Sequence, residues 1–76
     1  MADTTLDLSG LQCPIPILKT KKAVSALPSG ATIEVLATDP GAPGDFAAWC
    51  TQSRNTLVES TEAAGVFRFL IRHTAA

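Results

Sequence analysis

From Thr4 to Leu8 the chain alternates, with Leu6 and Leu8 on one side and Thr5 and Asp7 on the other, which is the period of a half-buried strand. After a turn at Ser9-Gly10-Leu11-Gln12, Ile17, Thr20, Val24 and Leu27 recur at steps of three and four. That spacing predicts a helix stripe running to Leu27, with Lys19 and Lys22 away from it and Pro28-Ser29-Gly30 as the stop. Thr32 to Thr38 reads as a second strand, Ile33, Val35 and Ala37 pointing one way and Glu34, Leu36 and Thr38 the other. Asp39 to Gly44 is dense in turn formers and reads as a loop. A second helix is expected over Asp45–Ser53, with Phe46, Trp49 and Cys50 on its apolar face and Asn55 as the left-handed residue after its end. Thr56 to Thr61 and Val66 to Arg72 form the arms of a hairpin turning at Glu62-Ala63-Ala64-Gly65. The order is βαβαββ, an α/β (α+β) two-layer sandwich with two helices on one face of one sheet. Glu34, Leu36, Arg68, Leu70 and Arg72 fall on the other face, toward solvent or a partner.

Seventy-six residues, 46% of them hydrophobic, suffice for one core and no more, so residues 1–76 are expected to form a single domain. Net charge is −1, from six basic and seven acidic residues. A stand-alone nucleic-acid binder usually carries a basic excess, so no direct nucleic acid partner is expected. No apolar run reaches the roughly 20 residues of a membrane span, and Met1 to Thr5 has neither region of a signal peptide, which predicts a cytoplasmic protein without a membrane partner. There the two cysteines are expected as thiols, and with one histidine they make a poor metal set, so no metal is expected.

The chemistry centres on Cys13. Pro14 fits a first helical position because the amide it lacks would have no intrahelical partner there, which makes Cys13 the helix cap. Pro16 disfavours the helical conformation at Ile15, so the regular helix can begin later. A helix N-terminus favours thiolate, the form that attacks sulfane sulfur. Pro14 and Pro16 remove two amide donors from the helix mouth and stiffen it. A thiol so presented, without a neighbouring resolving cysteine, meets the demands on a persulfide carrier. A second reading, Cys13 as one more packed small hydrophobe, stays open at this point.

Leu8-Ser9-Gly10-Leu11-Gln12-Cys13-Pro14-Ile15-Pro16 resembles the signature of the TusA/SirA-like sulfur-carrier family: glycine, two residues, then Cys-Pro-x-Pro. Asp39-Pro40, Asp45, Trp49-Cys50 and Phe69-Leu70-Ile71-Arg72 extend the resemblance over nearly the whole chain. It implies a mixed four-stranded sheet, similar to the C-terminal domain of a bacterial translation initiation factor. It also implies that Cys13 accepts sulfur from a cysteine desulfurase or a rhodanese and relays it to a further cysteine-bearing protein. Such members serve 2-thiouridine formation in tRNA, molybdenum-cofactor assembly or dissimilatory sulfur oxidation. The persulfide sulfur is then the one covalent group, with no separate cofactor, and the chain is a carrier rather than an autonomous enzyme. The alternative is a regulatory or protein-binding module in which Cys13 carries no sulfur.

Around Cys13, Gly10, Pro14 and Pro16 are the motif's positioning residues. Gln12 and Ile15 stand where tRNA-pathway members carry arginine and can carry glutamate, which bears on partner choice. Lys19, Lys21 and Lys22 are candidate partner contacts. Asp39 and Asp45 read as turn and cap residues, Asp45 also as a possible partner contact. Cys50 reads as a core residue, and His73 as part of a frayed tail.

Overall fold

A computed structural model describes residues 4–12 and 15–74. The elements are β1 (Thr4–Asp7), α1 (Ile15–Ser25), β2 (Thr32–Ala37), α2 (Ala42–Ser53), β3 (Thr56–Ala63) and β4 (Val66–Arg72). The sheet runs β1-β2-β4-β3, with β1 parallel to β2 and the other neighbours antiparallel, so it is mixed. Pairing Ile33 with Ile71 and Val35 with Phe69 sets these four residues on one face, where all are fully buried. Both helices pack on that face: Thr20 and Val24 from α1 and Ala42, Phe46 and Cys50 from α2 complete the core with Leu8. The rings of Phe46 and Phe69 stack with centroids 4.5 Å apart. On the open face the Arg68 guanidinium bonds the Glu34 carboxylate and, at 2.9 Å, that of Glu59.

Seven local expectations are corrected. Leu8 and Thr38 fall just outside their strands, although Leu8 N–H still donates to Leu36 O at 2.8 Å. The first helix ends at Ser25, not Leu27, because the Ala26 and Leu27 amides bond carbonyls three residues back as the chain tightens toward Pro28. The second helix starts at Ala42, inside the stretch read as a loop. Pro43 in its first turn forfeits no hydrogen bond there, so turn-forming composition concealed a helix start. The left-handed residue after that helix is Arg54 (φ 64°), not Asn55. The third strand continues to Ala63, and the hairpin closes through Ala64 and Gly65, both at positive φ, a two-residue turn matched to strand twist. His73 is no frayed tail: its N–H donates to Ala31 O at 2.8 Å, and its carbonyl accepts from Gly30 N–H at 2.7 Å.

Thr20 is fully buried, and among the described residues its Oγ1 has no hydrogen-bond partner. A desolvated hydroxyl with no partner opposes folding. Thr20→Val, which keeps the branched shape, is expected to stabilise the protein by about 1–2 kcal/mol, read from urea unfolding midpoints.

Candidate functional site

Because β1 and β2 are parallel neighbours, each followed by a helix, α1 and α2 both begin at the carboxyl edge of that pair. Their positive dipole ends therefore share one end of the molecule, where an anion is favoured. The loop from β1 to α1 is tied there. Ser9 N–H donates to Asp7 Oδ1 at 3.0 Å, and the Ser9 hydroxyl, then its amide, hold the Asp7 carboxyl below its ordinary range. Gly10 adopts φ +83°, which side-chain-bearing residues rarely tolerate, and its N–H donates to Thr38 Oγ1 at 2.8 Å. This tie joins the loop to the segment entering α2.

Cys13 and Pro14, expected as helix cap and first helical residue, lie outside the described residues. Gln12 is exposed, and its carbonyl accepts from Ile15 N–H at 3.0 Å. Ile15 begins α1 despite preceding a proline, and it is 43% exposed. Pro16 is buried, its missing amide falling in the first turn. Lys19, Lys21 and Lys22 are exposed along α1. Asp45 is half-buried in the first turn of α2. A Cβ on Gly41 would meet Asp39 Oδ2 at 3.3 Å and Asp45 Oδ2 at 3.5 Å, so the bare glycine lets both carboxylates approach the start of α2.

Two residues were missed by the sequence reading. Leu18 is 59% exposed and stands one turn beyond Ile15 on α1. Its place beside Ile17, off the apolar stripe, was the available signal. Thr38 anchors Gly10, which no local pattern announces.

Cys50, expected in the core, is 3% exposed and packs away from solvent. Burial pushes its thiol up to about 11 from 9.0. A raised folded value means that burial of the neutral thiol stabilises fully below pH 9 and is lost as pH climbs toward 11. In urea titrations under reducing conditions, the stability gap between parent and Cys50→Ala is expected to narrow by about 2–3 kcal/mol from pH 8 to pH 11. Among the described residues no group of three or more His, Cys, Asp or Glu is placed to hold a metal ion, and no helix is long and apolar enough to cross a membrane.

The fold and the Cys-Pro-x-Pro junction define an α+β protein built around a strand-to-helix loop, and comparisons name the class. Residues 4–73 match the family model described as Sulfurtransferase TusA, and the chain belongs to the TusA family. The sulfur carrier protein TusA of Allochromatium vinosum is 51% identical over 70 residues, 92% of each chain. That of Pseudomonas fluorescens is 37% identical over 70 residues, 92% of this chain and 84% of the other. The crystal structure of a SirA-like protein from Desulfitobacterium hafniense superposes with a TM-score of 0.82 at 25% identity, covering 93% of this chain and 97% of that one.

Proposed function

We propose that this protein is a cytoplasmic sulfur carrier, one domain that bears sulfur as a persulfide on Cys13 and passes it between a donor and an acceptor protein. The Cys13 thiolate attacks the terminal sulfur of a persulfide on a cysteine desulfurase or rhodanese. The new Cys13 S–S bond forms as the donor's S–S bond breaks, and the donor leaves as thiolate. No net oxidation occurs. An acceptor thiolate repeats the exchange and regenerates Cys13, so the only group carried is the covalent sulfur. The destination is tRNA thiolation or dissimilatory sulfur oxidation.

The observation that carries the reading is the Cys13-Pro14-Ile15-Pro16 sequence, whose last two residues open α1, in a chain matching the TusA model along nearly its full length. The surroundings support it. Gln12 and Ile15 face solvent, Ile15 and Leu18 offer an apolar pair one turn apart for a docking protein, and Lys19 and Lys22 flank them. Incubation with a cysteine desulfurase and cysteine, or with rhodanese and thiosulfate, is expected to add one sulfur to the intact mass. Dithiothreitol should remove it. A protein that stays at its unmodified mass with both donors is a binding module instead.

A further inference from the structure

At the other end of α1 from the motif, a groove of about 220 Å³ opens between the two helices, and the proposed persulfide exchange assigns it no role. Lys21, Val24 and Ser25 on the last turns of α1 form one wall, Trp49 of α2 forms the other, and His73 closes the end. α1 starts at Ile15 and the groove is lined from Lys21 to Ser25, so at 1.5 Å per residue it lies roughly 9–15 Å along the helix from its start.

The closing wall is fixed in place. The His73 backbone is bonded on both sides to the Gly30-Ala31 segment, and its Nδ1 lies 2.8 Å from Leu27 O. A carbonyl only accepts, so Nδ1 carries the proton and Nε2 is the acceptor in the neutral ring. Thr74 continues the lacing, its N–H to Asn55 Oδ1 at 3.2 Å and its hydroxyl to Arg54 O at 2.8 Å. A wall held by both helix ends needs little ordering when a ligand arrives, which lowers the entropic cost of binding.

The lining has one formal charge, the Lys21 ammonium, and no carboxylate, in a chain with more acidic than basic residues. Its broad surfaces are apolar: Val24 and the half-buried indole of Trp49. The volume falls below the roughly 300–1,000 Å³ of clefts for drug-sized ligands, which suits a single ring with its charged group and excludes a dinucleotide. We propose that this groove is a binding site for a small aromatic anion, its ring against Trp49 and its charge toward Lys21. The site is separate from sulfur loading and goes beyond the carrier reading.

Trp49 is the chain's one tryptophan, and there is no tyrosine, so intrinsic indole fluorescence reports this groove alone. Benzoate titrated into the full-length protein is expected to change that emission saturably, with a dissociation constant on the order of 1 mM. Neutral benzamide is expected to bind about tenfold more weakly, and Lys21→Gln to weaken benzoate similarly, as loss of one charge contact implies. Lys22→Gln, whose side chain does not line the groove, and Cys13→Ser should both bind as the parent does. Linear quenching without saturation overturns the proposal. So does equal binding of benzamide, or a Lys21→Gln variant that melts like the parent and binds benzoate unchanged. Because Cys13→Ser cannot load sulfur under the carrier reading, binding retained there separates the two proposals.

Discussion

A Cys13→Ser variant is expected to take up no sulfur from either donor, while Cys50→Ser loads as fully as the parent. Loading needs a thiolate that a second protein can reach. Cys50 meets neither demand: it is 3% exposed, and burial holds its thiol up to about 11, so at neutral pH it is a protonated core group. Serine at position 13 cannot replace the thiolate, because an alkoxide is inaccessible at that pH and no stable O–S bond would store the sulfur. The assay is intact mass after incubation with desulfurase and cysteine, before and after dithiothreitol. Sulfur on Cys13→Ser, or its loss from a Cys50→Ser protein that is still folded, would sink the assignment of Cys13 as the carrying residue.

Exchange of Phe46 for alanine is expected to remove about 3–5 kcal/mol of stability. The ring is fully buried and stacks on Phe69 at 4.5 Å, near the middle of the sheet face that both helices cover. A chain of 76 residues carries a total margin of about 4–11 kcal/mol, so this single truncation consumes much of it. Phe46→Leu, which leaves a smaller void, should cost about 1–2 kcal/mol. Urea unfolding followed by circular dichroism gives both numbers. A loss below 1 kcal/mol for the alanine variant would mean that the core closes over the gap.

The core was legible wherever one face of an element is buried. Ile33, Val35 and Ala37, with Phe69 and Ile71, alternate because β2 and β4 are the two inner strands, covered by helices on one side only. The edge strand β3 was read two residues short because it is exposed almost throughout and Val58 interrupts its register, which erases the alternation. Helix ends were misjudged where backbone geometry overrode composition. Pro43 belongs to a first turn, and Arg54 takes the left-handed conformation despite its side chain. The motif was legible because Cys-Pro-x-Pro is unusual chemistry. Its setting was not: the Gly10–Thr38 bond, the pinned His73 and the groove beside Trp49 each join residues distant in sequence.

The described strand latest in chain order, β4, is also an inner one, hydrogen-bonded to β2 on one flank and β3 on the other. It can dock only after every residue up to Arg72 has joined the chain. Until then Ile33, Val35 and Phe46 have no Phe69 or Ile71 to close against. The hydrophobic interior therefore closes only when residues far apart in chain order, from β2 and β4, come side by side.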